Sequence, residues 1–245
     1  MRIPRFYSSQ VLEPQRELTL EPGPSAHIAR VLRMTLGQPL RLFDGEGKEF
    51  SASIVALDKR AVTVSLETEL ERDVESPLAI ELGIGISRGD RMDWVLQKAT
   101  ELGVTRVVPL FTERTEVKLK GERAQKKQQH WQQVIISACE QCGRNRLPAL
   151  ELPTDVNQWL QHCQAERRFV LHHRGTAADS GCPAPTSVAL AVGPEGGLSA
   201  VEIEAAQALG FEPLTLGPRV LRTETAPLAA IAILQARWGD MSPEQ

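Results

Sequence analysis

No stretch of this 245-residue chain is an apolar run of about 18 residues, so no membrane-spanning helix is expected. The segment "APLAAIAIL" (226–234) is too short, and the opening "MRIPRFYSSQ" lacks the apolar core of a secretion signal. A cytoplasmic protein is the expectation. Four cysteines are too few for the disulfide framework of a small secreted domain. There is no internal repeat and no low-complexity tract. Nor is there a net positive charge to announce nucleic-acid binding: the formal charge is −3.

What is present is local. Between Arg114 and Arg146 eight basic residues face three acidic ones, and residues 1–60 hold nine basic and seven acidic side chains. Such patches suit a phosphate backbone, although a solvated helix face reads the same way. The N-terminal part is β-rich. In "EFSASIVAL" (49–57) Phe50, Ala52, Ile54 and Ala56 alternate onto one face, as do Val62, Val64 and Leu66 in "AVTVSLE" (61–67). Short antiparallel strands must close or be covered, so a small barrel is expected, followed by the polar linker "LERDVESP" (70–77). After Pro77 strands and helices alternate, which predicts a mostly parallel sheet with helices on both faces. Asp90 is placed to cap a helix over 90–103, Ser199 to cap one running to about Leu209, and Thr223 or Thr225 to cap the last, 224–239.

The stretch "LAVGPEGGLSA" (190–200) ends a buried-type strand in a glycine-rich turn, at the sheet edge where ligands collect in open α/β folds. It is not a phosphate cradle. Leu198 follows Gly197 where the P-loop needs lysine, and G-P-E-G-G does not match G-x-G-x-x-G. Glu195 would repel a phosphate by about 1 kcal/mol or more. The loop therefore suits a ligand that needs close backbone approach but carries no phosphate, such as adenosine joined to a cationic group. "LGPRVLRTETAPL" (216–228) repeats the arrangement one strand later, and the strand end "LHHR" (171–174) is placed to complete a pocket.

The segments "VGPEGGLSAVEI", "LGPRVLRTETAPLAAI", "ACEQCGRNRLP", "MRIPRFY" and "HIARVLRM" together strongly resemble the RsmE family. Its members are S-adenosylmethionine-dependent methyltransferases that modify N3 of a uridine in 16S (small-subunit) ribosomal RNA. The resemblance runs from Met1 to Trp238; the stretches 151–167 and 175–187 carry no matching motif. It implies an α/β fold of SPOUT type, a parallel sheet with a trefoil knot (73–245), preceded by a PUA-like β-barrel that grips RNA (1–72). A homodimer is implied as well. The cofactor is implied to lie among Leu171 and His172; Val192, Gly193, Pro194, Glu195, Gly196 and Gly197; and Leu216, Gly217, Val220, Leu221, Arg222, Thr223, Thr225 and Ala226.

Methylation at N3 requires loss of a proton from a neutral uridine, hence a base or a group that stabilises the anion. Arg222 is the leading candidate for the second role; Glu140 and Glu195 are candidates for the first. Glu140 also has a plain structural reading, an ion pair to Arg144 at i+4. No metal is required. Arg2, Arg5, Arg30 and Arg33, the last two on a predicted short helix, are expected to hold the body of the RNA. Arg88, Arg114, Arg144 and Arg146 are expected near the target nucleotide. Cys139 and Cys142 form C-x-x-C, but at a helix C-terminus the dipole should raise a thiol pKa, so no redox or metal role is expected. His172 and His173, adjacent on a strand, point to opposite faces and suit a pocket wall better than a ligand pair. Two other readings stay open: a SPOUT enzyme acting on another RNA, at a ribose or a tRNA base, and a ribosome-assembly factor without catalysis.

Overall fold

The structure, a computed structural model, describes residues 3–58, 61–117, 119, 121–172 and 183–241. The chain divides into two compact units, Met1–Glu75 with Ile136–Leu147, and Ser76–Ile135 with Pro148–Gln245.

The first unit is a five-stranded sheet. Its elements are β1 (Arg5–Tyr7), β2 (Glu17–Thr19), helix α1 (Pro22–Ala26) with a π-helical turn at His27–Val31, β3 (Pro39–Phe43), β4 (Glu49–Leu57) and β5 (Val62–Leu70). The strand order is β1-β3-β4-β5-β2; β1 pairs parallel with β3 and all other neighbours are antiparallel. The alternation read from the sequence sets the core: Phe50, Ala52, Ile54, Val62, Val64 and Leu66 are buried with Phe6, Ile28, Leu40 and Leu42. Ala56 is exposed, because a bulge between Ile54 and Ala56 turns the end of β4 out of that face.

The second unit holds β6 (Ala79–Gly85), α2 (Arg91–Glu101), β7 (Arg106–Phe111), α3 (Glu122–Cys142), β8 (Ala149–Leu150), β9 (Thr154–Asp155) and α4 (Val156–His162). It continues with β10 (Arg167–Leu171), β11 (Ser187–Val192), α5 (Ala200–Ala208), β12 (Glu212–Leu214) and α6 (Thr225–Trp238). The strands run β12-β10-β11-β6-β7-β8, with β9 also on β7, and every pairing is parallel. The two central strands are mostly buried, fully so over Leu82–Gly85 and Val188–Val192, as near-continuous apolar runs predict. All their C-terminal ends lie at one edge.

Three capping expectations resolve differently. Ser199 caps α5 in a full capping box with Glu202. Asp90 makes no side-chain cap, and α6 begins after Glu224, again without one. Arg30 and Arg33 do not share a helix: Arg30 lies in the π-helical turn, and Arg33 follows it with φ of 53°.

Residues 136–142 of α3 belong to the first unit, and one side chain explains why. Arg5 donates through Nε to Glu49 Oε1 (2.6 Å), through Nη1 to the carbonyls of Cys139 (2.7 Å) and Glu140 (3.5 Å), and through Nη2 to Arg144 O (3.1 Å) and Asn145 Oδ1 (2.5 Å). Helix ends leave carbonyls without intrahelical partners; here a guanidinium from β1 takes them. Arg5, 7% exposed, is therefore a buried tie and not an RNA contact, which corrects the sequence expectation. Arg144, 4% exposed, is likewise buried and held by Glu75 through Nε and Nη2 (2.9 and 2.6 Å). The expected Glu140–Arg144 ion pair is replaced by this one, and Glu140 Oε1 accepts from Tyr7 N at 3.1 Å. Arg146 donates to Glu46 O and stays exposed; Arg2 lies outside the described residues.

The expected raised thiol holds for Cys139 and not for Cys142. Cys139 is raised by its hydrogen bond with Cys142 and by burial. Cys142 is lowered to about 6, by the same hydrogen bond first and then by the Arg144 N–H and the Arg144 and Arg5 guanidiniums, which together outweigh its burial. Local charge and hydrogen bonds override the weaker helix dipole.

Replacing Arg5 by Met should leave the fully buried Glu49 carboxylate with only the longer Arg41 Nη1 contact, 3.8 Å from its Oε2, and cost about 3–5 kcal/mol, measured by urea unfolding. Adding Glu49→Gln should recover part of that loss; equal unfolding midpoints for wild type and Arg5→Met would refute the role of the tie.

Candidate functional site

At the C-terminal edge of the parallel sheet, the ends of β10, β11 and β12 open into a cavity of about 340 Å³. Leu171 and His172 come from β10, Val192 and the 193–197 turn from β11, and Leu214 and Leu216 from the end of β12 and just beyond it. The strand ends are tied together: His172 N donates to Leu214 O (3.1 Å), and Thr215 Oγ1 donates to His172 O (3.1 Å). His173 lies outside the described residues.

The turn is held by the absence of side chains. A Cβ on Gly193 would meet Leu198 N at 2.4 Å and Gly197 Cα at 2.8 Å, both backbone atoms that cannot step aside. Gly197 takes φ of 69°, which glycine adopts without steric cost, and its N–H closes on Pro194 O at 2.8 Å. On the neighbouring strand, a Cβ on Gly85 would strike Pro194 at 2.5 Å. Sequence reading overlooked Gly85; its signal was a glycine interrupting the apolar strand "LAIELGIGIS" (78–87), the mark of close backbone approach.

Glu195 is the charged member of the wall. Its Oε1 accepts from Arg88 N (2.9 Å) and from Arg91 Nη1 (2.7 Å). Burial alone would raise its pKa, but the Arg88 N–H, its own backbone N–H and Arg91 together hold it below the usual carboxylate range. Arg91 Nε also lies 3.7 Å from Glu224 Oε2. Arg88, Asp90, Arg91, Trp94, Glu224 and Thr225 line a second cavity, joined to the first through the bonds of Arg88 and Arg91 to Glu195. The Arg88 guanidinium pairs with Glu116.

The sequence candidates thus divide. Every residue expected at the cofactor lines the first cavity except Arg222 and Thr225; Thr225 lines the second. Arg222 is exposed beside Leu221 and Thr223, and its guanidinium makes no hydrogen bond or ion pair among the described residues. Glu140 sits in the first unit, where burial raises its pKa against the Tyr7 N–H, His27 and Arg5. Arg114, expected at RNA, instead lines the first cavity and donates from Nη1 to Gly196 O at 2.7 Å. Leu198, Ile203, Leu214 and Arg219 line it as well and were missed. Glu202 fixes the frame: Oε2 accepts from Ser199 N (2.7 Å) and Oε1 from Glu113 N (2.8 Å). The S-x-x-E spacing after the glycine loop was its legible signal.

Comparison with known proteins gives a consistent picture. Residues 74–235 match the family model described as an RNA methyltransferase domain, and residues 25–67 the one described as an RNA methyltransferase PUA domain. The chain is 36% identical over 243 residues to ribosomal RNA small subunit methyltransferase E of Buchnera aphidicola subsp. Schizaphis graminum, covering 98% of this chain and 99% of that one. It is 30% identical to the Bacillus subtilis protein of the same name, over 85% of each chain. Among solved structures, ribosomal RNA small subunit methyltransferase E of Neisseria gonorrhoeae, bound to S-adenosyl methionine, matches with a TM-score of 0.93 and 41% identity, covering 98% of this chain and 100% of that one. A Legionella pneumophila methyltransferase with bound SAM matches with a TM-score of 0.95 and 44% identity, over the same shares.

Gly193→Ala should destabilise the protein by about 1–3 kcal/mol, since the added carbon strikes backbone. Gly196→Ala meets only the Arg114 side chain, at 3.1 Å, and should cost less. Thermal unfolding of the two variants checks the order; a reversed order would show that the turn is not held by close approach at Gly193.

Proposed function

The chain belongs to the ribosomal RNA small subunit methyltransferase E family, and from that premise we propose that it transfers the methyl group of S-adenosylmethionine to N3 of a uridine in 16S ribosomal RNA. The observation that carries this reading is the first cavity: backbone and apolar walls at three parallel strand ends, with one ionised carboxylate, Glu195, and two arginines, Arg114 and Arg219, in the lining.

The donor set fits an adenosine that bears a cation. The 193–197 turn offers backbone N–H and C=O groups at close range, and Leu171, Leu198, Leu214 and Leu216 offer apolar surface for the base. The Glu195 carboxylate, which shares the lining with Arg114 and Arg219, is proposed to face the positive end of such a ligand. When bound, the cofactor supplies an electrophilic methyl on a sulfonium. The protein's part is mainly alignment, which a rigid cradle provides.

The acceptor nitrogen must lose its proton. Arg222, at the cavity rim with its guanidinium uncommitted, is proposed to face an oxygen of the uridine and stabilise the anion. Glu195 is a weak proton acceptor because two donors hold it ionised, and its proposed role is to fix Arg88 and Arg91. Glu140, raised by burial, retains a base's chemistry, but its carboxylate is engaged by Tyr7 within the first unit.

We further propose that the 193–197 and 216–226 segments take part in the trefoil knot of the SPOUT fold, and that residues 1–72 act as the PUA-like RNA-gripping domain with Arg30 and Arg33 toward the RNA. Arg88 and Arg146 are proposed to contact RNA nearer the target. A homodimer is proposed through the α2–α6 face, which exposes Trp94 and Ile233 to solvent, 53% and 49% respectively. No helix among the described residues is long and apolar enough to cross a membrane. The proposed place of action is the cytoplasm, with the ribosomal RNA.

Labelled methyl transfer to ribosomal subunits and to naked RNA, followed by mapping, should place the methyl at N3 of a single uridine. A methyl on a ribose or on tRNA would favour the related-enzyme reading. Absence of S-adenosylmethionine binding in calorimetry would leave the non-catalytic assembly factor. Arg222→Ala should lower kcat on the order of 100-fold while cofactor affinity is kept; unchanged kcat removes Arg222 from the mechanism. Trp94→Glu should shift sedimentation from dimer to monomer, and an unshifted boundary would rule out the α2–α6 face.

A further inference from the structure

The first cavity holds charges of both signs, and they are not equally committed. Glu195 has its counter-ion: Arg91 Nη1 lies 2.7 Å from Oε1, and Arg88 N donates to the same oxygen at 2.9 Å. Arg114 and Arg219, the two arginines of the lining, make no ion pair with an acid among the described residues. The neighbouring acids are engaged elsewhere: Glu116 with the Arg88 guanidinium, Glu202 with the N–H groups of Ser199 and Glu113, and Glu224 with Arg91. The protein thus leaves the positive charges of this cavity without a partner of its own. Arg114 is also held in place. Thr112 N donates to Thr115 Oγ1 and Thr115 N to Thr112 O, both at 3.0 Å, which turns the chain around it. Its stem lies across Gly196, where a Cβ would meet Arg114 Cβ at 3.1 Å and Cδ at 3.2 Å. Nη1 donates to Gly196 O at 2.7 Å, and the remaining N–H donors of the guanidinium stay open. Arg219 reaches the same cavity from the loop after β12.

We propose that Arg114 and Arg219 form an anion subsite, which takes the carboxylate at the amino-acid end of the S-adenosylmethionine assigned to this cavity above, a reading on which the proposal rests. The cavity then sorts the ligand by charge: Glu195 attracts its cationic part, and the two arginines its carboxylate. A carboxylate is a planar acceptor that matches the fork of a guanidinium, and the bond is charge-assisted. It also suits the acid nearby. A phosphomonoester carries close to twice the charge, so Glu195 repels it about twice as strongly as it repels a carboxylate. Arg114 and Arg219 are therefore specificity-determining residues: they select an adenosine with an amino-acid tail over one with an uncharged or amine-only tail.

The test is calorimetry of the full chain with S-adenosylmethionine, with its decarboxylated form, which keeps the sulfonium and the amine, and with adenosine 5′-monophosphate. Wild type should bind the decarboxylated form about 10- to 100-fold more weakly than S-adenosylmethionine, the loss of a charge-assisted contact. Arg114→Met and Arg219→Met should each weaken S-adenosylmethionine by about 10-fold and leave the decarboxylated form unchanged. Arg219→Lys should recover part of the loss, and adenosine 5′-monophosphate should bind more weakly than S-adenosylmethionine. Equal wild-type affinity for the two sulfonium ligands would overturn the proposal without recourse to any variant, and would leave the methyltransferase reading standing. So would a preference that survives both substitutions, variants that weaken both sulfonium ligands alike, or tightest binding of the monophosphate. Binding of neither sulfonium ligand would remove the cofactor assignment, and this subsite with it.

Discussion

The loop that builds the cavity closes because position 193 has no side chain. A carbon there would stand 2.4 Å from the nitrogen of Leu198, closer than two such atoms approach in any folded protein. With glycine the chain leaves β11, reverses within four residues and starts α5 at Ser199. Everything around the cavity inherits this geometry. Pro194 nests against the end of β6 only because Gly85 is also bare, and Arg114 reaches Gly196 O because the turn presents that carbonyl outward. Glu202, one turn into α5, then fastens the 112–115 segment through the Glu113 N–H. The ligand site is thus a consequence of backbone packing, with side chains adjusting its polarity.

Polarity turns on Glu195. Taken as a sequence letter, it excluded phosphate; in the structure it also has partners. Two donors keep it ionised, and through Arg91 the charge continues to Glu224 at the start of α6. A carboxylate fixed in this way contributes a permanent negative potential to the cavity without competing for a proton. The same chain of contacts positions Arg88 and Arg91 toward the second cavity, where Trp94 adds an aromatic face. Each cavity therefore carries both signs of charge: Glu195 with Arg114 and Arg219 in the first, Arg88 and Arg91 with Asp90 and Glu224 in the second.

Much of this was legible in the residues. The parallel sheet, the strand-end position of the glycine loop and the capping serine followed from periodicity and turn chemistry, which are local properties. Arg5 shows the other kind of information. Nothing in "MRIPRFY" says that its arginine will be buried, because its partners lie 134 to 140 residues away, at Cys139 and Asn145. The same holds for the return of α3's last turn to the first unit, and for Gly85, whose role depends on a proline from another strand. Among the N-caps that failed, Asp90 stands at the cap position of α2 without a side-chain bond, while α6 starts at Thr225 with Glu224 before it, so neither threonine occupies the cap position.

That distinction reshapes how the arginines should be read. A count of positive residues treats Arg5, Arg30, Arg33, Arg144 and Arg146 as one patch, yet burial separates them. Arg5 and Arg144 spend their charge on Glu49 and Glu75 inside the first unit, where they hold carbonyls and orient a turn. Arg30, Arg33 and Arg146 remain exposed on the surface. Phosphate attraction grows with the number of cations that displace counterions, so in the proposed RNA contact only the exposed set would contribute to the salt dependence. The buried pair acts earlier, by fixing the shape on which the exposed set is displayed; loss of either kind would weaken RNA binding, but only loss of the exposed kind would flatten its dependence on salt.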